Sequence, residues 1–152
     1  MNRQIYKGAN GVAAEFGHIM SRPIVESNDR RQPYYETYAS TTALVNMAKQ
    51  VDPECINGKV LFEKVNAGNE ELGRVVHAWV DEVASGLISI IHIFNPSAII
   101  VGGGVMEQDH VVQLVEARTK ALIMDSFNNV KIVKAALGNK AGVLGAASLF
   151  LR

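Results

Sequence analysis

The sequence predicts an α/β fold, and three observations carry that prediction. From Glu70 to Phe94, the residues Leu72, Val76, Trp79, Val83, Leu87, Ile90 and Ile91 return every three or four positions, the spacing of a helix with one broad buried stripe. Ser97 to Val101 is a short apolar run rich in β-branched residues, which reads as a buried strand, and Gly102-Gly103-Gly104 follows it at once. Helical spacing resumes from Asp109 to Ile123, a second strand candidate spans Asn129 to Lys134, and a small-residue helix spans Ala141 to Leu151. Helix, strand, glycine loop, helix, strand, helix is an α/β order, with neither a repeat nor a two-domain split.

The first half is less regular. Ile5-Tyr6-Lys7 is a short extended candidate that runs into Gly8-Ala9-Asn10-Gly11, where glycines permit a tight turn. Val12 to Met20 reads as a short strand or as a turn leading into one. Ser21 to Pro33 holds no steady period and contains Pro23 and Pro33, so it reads as an irregular excursion. Pro33 suits the start of a helix over Tyr34 to Gln50, whose packed side would carry Tyr35, Tyr38, Ala39, Thr42, Ala43, Val45 and Met47. Lys59 to Val65 is a weaker helical patch, and Asn95-Pro96 closes the long helix.

With 152 residues and 16.5 kDa, the chain is long enough for one compact domain. Fifteen basic and fifteen acidic residues balance, which removes any bulk electrostatic argument for a nucleic-acid partner. Cys55 is the only cysteine, so an internal disulfide and a multi-cysteine metal cluster are excluded within one chain. No run of 18 charge-free apolar residues occurs, and Met1-Asn2-Arg3-Gln4 opens no signal-peptide core. The expectation is a cytoplasmic protein with no membrane contact.

Two regions hold candidate chemistry. In Glu15-Phe16-Gly17-His18 a carboxylate accepts hydroxyl protons and an imidazole donates or accepts, with no side chain on Gly17 between them. The same residues also read as a cap and a pinned turn. Glu36, in the expected first turn of a helix, reads as a ligand contact or as support from the helix dipole. Tyr34, Tyr35 and Tyr38 read as stacking surfaces or as core. The second region is Gly102-Gly103-Gly104, where glycines after a strand let phosphate oxygens or a nucleoside approach, aided by the following helix end. Neither P-loop nor Rossmann spacing is present, and a purely structural turn is the competing reading. His77 and His92 read as packing or boundary residues, His110 as solvent-facing, and Cys55 as no nucleophile.

Four ordered blocks then resemble one family. Gly8 to Ile19, Glu36-Thr37-Tyr38-Ala39-Ser40, Pro96 to Val105 and Leu137 to Ala147 together are similar to the ROK family of repressors, open reading frames and sugar kinases. The resemblance implies one lobe of an actin-like ATPase (ribonuclease H-like) fold, a mixed sheet with packed helices, over residues 1–152. It implies hexose or amino-sugar binding by Glu15, His18 and Glu36, and ATP with Mg2+ beside Gly102, Gly103 and Gly104 in the complete enzyme.

The family's N-terminal lobe supplies an Asp-Gly phosphate-binding loop and an Asn-Asp motif with the general base, and the matched blocks correspond to the later half. Phosphoryl transfer needs in-line placement and neutralised triphosphate charge, so the expectation is a sugar-binding lobe inactive by itself, with a non-catalytic sugar-sensing domain as the alternative. The missing N-terminal lobe is then a partner, and a homodimer through the long helix and the apolar terminal segment matches family behaviour. The family also binds structural zinc through a CxCGxxGC motif. Ser27, Asp29 and Tyr34 stand where those cysteines would be, with Arg30 and Pro33 in place of the glycines, so zinc is not expected.

Overall fold

The computed structural model describes residues 5–26, 29–148 and 150. Helix α4, Glu70–Phe94, is the spine. Asn69 caps it by accepting from the Leu72 amide at 3.0 Å, Glu70 and Glu71 favour its positive end, and Asn95 closes it in the left-handed region at φ 42° before Pro96. Its buried face carries Leu72, Val76, Trp79, Val83, Leu87 and Ile91 from the expected stripe, together with Val80, Ala84 and Gly86. Each large apolar residue removed from water there contributes roughly 1.5–3 kcal/mol. By length and mean hydropathy α4 also meets the criterion for a membrane span, but 44% of its most apolar stretch is buried inside the fold, as befits a core helix.

After α4, strand β1 (Ala98–Val101) leads through a 3-10 turn, Gly104–Glu107, into α5 (Asp109–Leu122), and β2 (Lys131–Lys134) returns parallel to β1. The register pairs Ile99 with Ile132 and Ile100 with Val133. Alternation sends Val101 and Ile132 into the core shared with α4 and α5, while Ile100 and Val133 face outward, Ile100 at 70% exposure. The expected α/β order is therefore present. Antiparallel pairing, the other component of a mixed sheet, is limited among the described residues to a single bridge between Met20 and Tyr34.

The stretch expected as one helix from Tyr34 to Gln50 is two, α1 (Glu36–Ala39) and α2 (Thr41–Val51), separated at Ser40 with ψ 162°. The indole Nε1 of Trp79 donates to the carbonyls of Ala39 and Ser40 at 3.1 and 3.0 Å, and Ser40 Oγ accepts from the Ala43 amide as the cap of α2. Both interactions favour a break that side-chain spacing does not signal. Helix α3 (Gly58–Asn66), capped by Asn57, fulfils the weaker helical patch and buries Leu61 and Phe62.

Ile5-Tyr6-Lys7 is not a strand. Ala13 N donates to Lys7 O at 3.1 Å across a loop in which Gly8 and Gly11 take φ 69° and 83°, conformations open to glycine. The last helix, α6 (Ala141–Ser148), buries no residue and leaves Val143 and Leu144 exposed. Its expected extension to Leu151 falls partly on residues outside the described set, as do Met1 to Gln4 and Ser27.

Candidate functional site

Glu36 comes together with Glu15 and His18 although it belongs to a separate stretch of the chain. A single 3-10 turn, Phe16–His18, is anchored by the Phe16 ring, which meets Phe94 at the end of α4 edge-on at 5.8 Å. Ala14, just before it, sits at φ 72°, an unusual conformation for a residue with a Cβ, and this turns the chain so that Glu15 stands out from the surface. His18 Nδ1 lies 3.9 Å from Glu15 Oε2, and His18 Nε2 lies 4.0 Å from Glu36 Oε1. These separations exceed direct hydrogen bonds and leave lone pairs and ring nitrogens for another molecule. All three side chains are about half exposed or more. Gly17 lets Glu36 approach closely, since a Cβ on it would lie 3.0 Å from Glu36 Oε2 and 3.3 Å from Glu36 Cβ and would push that side chain aside.

Of the three tyrosines, Tyr34 borders the cluster, its ring 5.2 Å from that of His18. Tyr35 is structural. Its hydroxyl donates to Val83 O at 3.2 Å, and burial, with Glu82 nearby, pushes its phenol up to about 12. Tyr38 lies beneath the Arg22 guanidinium, 4.3 Å from the ring centre. Helix α1, with only four residues, gives Glu36 little dipole, so its position owes more to Gly17 and the flanking turn.

Gly102, Gly103 and Gly104 form the expected turn after β1. Gly103 has φ 106° and ψ 162°, a conformation essentially restricted to glycine, and a Cβ on Gly102 would crowd the Ala135 methyl at 3.3 Å. The helix behind this loop begins at Asp109, where helical spacing was expected to resume, and a 3-10 turn that buries Val105 and Met106 separates it from the glycines. Asp109 is instead tied to Lys134, whose ammonium holds its carboxyl below the usual range.

Three adjacent cavities lie between Glu36 and the glycine turn. One of about 350 Å³ is lined by Glu36, Thr37, Ser40 and Asn46; the next, about 240 Å³, by Ser40, Thr41, Trp79, Gly102 and Gly103; the third, about 540 Å³, by Thr41, Gly58, Lys59, Phe62, Asn66 and Gly104. Ser40 belongs to the first two and Thr41 to the last two. The contribution of α3 to the largest cavity is the part sequence reasoning missed, and the glycine at its first position, Gly58, was the available signal.

The remaining candidates divide simply. His77 is exposed, and His92 is exposed against the Phe127 ring at 4.9 Å. His110 is half-buried rather than solvent-facing, because its ring meets Phe62 edge-on at 5.7 Å. Cys55 is buried and its thiol is pushed up by that burial, which disfavours the thiolate. Where the zinc motif would lie, Asp29 accepts from Arg31, Tyr34 packs on His18, and Ser27 is outside the described residues. No group of three or more His, Cys, Asp or Glu among the described residues is arranged to hold a metal.

Comparisons with known proteins bear on the family and the fold. The chain is 24% identical over 162 residues to N-acetyl-D-glucosamine kinase of Pasteurella multocida, covering 99% of this chain and 53% of the relative. It is 31% identical over 173 residues to glucokinase of Streptomyces coelicolor, covering 98% and 54%. A crystal structure of a ROK family glucokinase from Streptomyces griseus, in complex with glucose and AMPPNP, superposes with a TM-score of 0.83 at 32% identity, covering 96% of this chain and 54% of that one. The chain thus spans about half the length of the curated relatives it matches. With the ROK family's sequence pattern matched over residues 1–152, and with the actin-like α/β fold of its sugar kinases, the chain belongs to the ROK family.

Proposed function

We propose that this chain is the sugar-binding lobe of an ATP-dependent kinase acting on a hexose or N-acetylhexosamine, inactive by itself. The observation that carries the reading is the row of adjacent cavities that share Ser40 and Thr41 as lining residues, with Glu36 of the carboxylate and imidazole cluster at one end and the glycine turn at the other. Glu15 and Glu36 accept from sugar hydroxyls, and His18 serves a third hydroxyl from between them. The larger cavity, about 540 Å³, is of a size suited to a nucleoside, with Gly104 and Lys59 on its wall. Bound Mg-ATP would supply the phosphoryl group and the charge neutralisation of its oxygens.

The described residues offer no positioned base for the sugar hydroxyl apart from the exposed carboxylates that would bind it. The base and the phosphate clamp therefore belong to a second lobe. The surface supports this, since α6 is apolar and buries none of its described residues, and such a helix gains little stability without a packing partner. The outer sheet face at Ile100 and Val133 is bare as well.

The test is complementation. The chain is combined with the half of Streptomyces coelicolor glucokinase that it does not match, and ADP release is followed with glucose and N-acetylglucosamine. Sugar-dependent turnover only in the mixture, lost on Glu36→Gln, is the expected result. Sugar binding without turnover in the mixture and in a full-length gene product would favour the sugar-sensing alternative.

A further inference from the structure

We propose that Arg22, gripped between Tyr38 and Glu82, is a positioning residue that clasps the two ends of the Ser21–Pro33 excursion and so fixes His18 relative to Glu36. The proposal rests on the sugar-site reading for its functional consequence, but not for its structural one.

His18 precedes the excursion and Glu36 follows it, so their separation depends on how the excursion's ends are joined. Those ends are linked by backbone bonds: Ser21 N and Arg22 N both donate to Pro33 O, at 2.9 and 3.3 Å, and Tyr35 N donates to Ile19 O at 2.9 Å. This short ladder is a single bridge, too small to persist alone in water. It also carries a cost, because Ser21 Oγ and Gln32 Oε1 are buried without a protein partner. Something must offset that cost and tie the ladder to the core.

Arg22 is placed to do so. Its Nη2 donates to Glu82 Oε1 at 2.5 Å, which reaches across to the middle of α4, and its Nη1 donates to Ser21 O at 3.1 Å. Its guanidinium lies 4.3 Å above the Tyr38 ring, and the Tyr38 hydroxyl donates to Gln32 O at 2.7 Å, gripping the far end of the excursion. One cation therefore holds the near end, the far end and the core helix together. The pair is only about one-third exposed, so it is screened less than an open surface pair. Arg suits this place better than Lys because a planar guanidinium stacks and donates in two directions at once.

The test uses the full chain with Arg22→Met and, separately, Glu82→Gln, each read by amide hydrogen exchange and by the contact between the His18 and Tyr34 rings in proton spectra. Exchange at Ser21, Arg22 and Tyr35 is expected to accelerate about tenfold in either variant, while protection along α4 holds and the ring contact weakens. Arg22→Glu combined with Glu82→Arg is expected to recover part of the protection. Glucose affinity is expected to fall with the loss of ring contact, with little change in melting temperature. Unchanged exchange at the three amides would overturn the clasp, as would a metal chelator that released them in the wild type. If glucose shifts no resonance of the wild type, the sugar reading fails while the exchange result still decides the clasp.

Discussion

The two ends of the cavity row are built in opposite ways. The glycine turn hangs from β1, and the strand is paired with β2 and backed by Val101, Ile132, Val111 and Val115 in the principal core. The Glu15, His18 and Glu36 cluster sits on a 3-10 turn and a four-residue helix that bury no residue of their own and are secured by ring contacts and polar clasps. Regular elements fix one end through buried area, whereas a handful of directed contacts fix the other. The first kind tolerates change gradually; the second fails when a single contact is displaced.

The largest expected effect therefore falls at a joint between the two. Gly86 of α4 lies beneath Tyr35, and a Cβ there would come within 2.2 Å of the Tyr35 ring and hydroxyl. Gly86→Ala should cost about 1–3 kcal/mol in denaturant unfolding, and the loss should appear as faster amide exchange around Tyr35 with β1 and β2 unaffected. Equal loosening of the strands would contradict the separation.

Gly103→Ala probes the opposite end. Its backbone conformation strains any residue with a Cβ by about 1–3 kcal/mol, so AMPPNP binding measured by calorimetry should weaken while glucose-dependent shifts at His18 persist.

A smaller effect follows from the raised Tyr35 phenol. A group whose pKa is higher folded than unfolded keeps its full contribution below the unfolded value, about 10, and loses it as pH rises toward about 12. Stability should fall across that window in the wild type, and Tyr35→Phe should flatten the dependence.

The smallest effect sits on the strained turn. Ala14→Gly relieves a positive φ but frees the unfolded chain, so a net gain of up to about 1 kcal/mol is expected in thermal unfolding. A clear loss would show that the Ala14 methyl packs usefully.

The same division explains what the sequence discloses. Helix α4 matches its expected limits, and β1, β2, α3 and α5 lie within a few residues of theirs, because period and capping are properties of neighbouring residues. The three candidate polar residues converge, a result suggested by ordered family blocks and not by local pattern. The break at Ser40 was invisible because it depends on the Trp79 indole, some 40 positions away. The Arg22 to Glu82 contact, separated by 60 positions, was hidden for the same reason. The α3 wall of the largest cavity was read only as a weak helix, because packing, and not propensity, brings Gly58 and Phe62 opposite Gly104.

The central claim, two ligand regions meeting at one seam, is tested most directly by amide resonance titration of the chain with glucose and with AMPPNP separately. Glucose should move Glu15, His18 and Glu36, AMPPNP should move Lys59, Asn66 and Gly104, and both should move Ser40 and Thr41. Shifts from both ligands confined to one region, or glucose shifts scattered away from the cluster, would contradict the account.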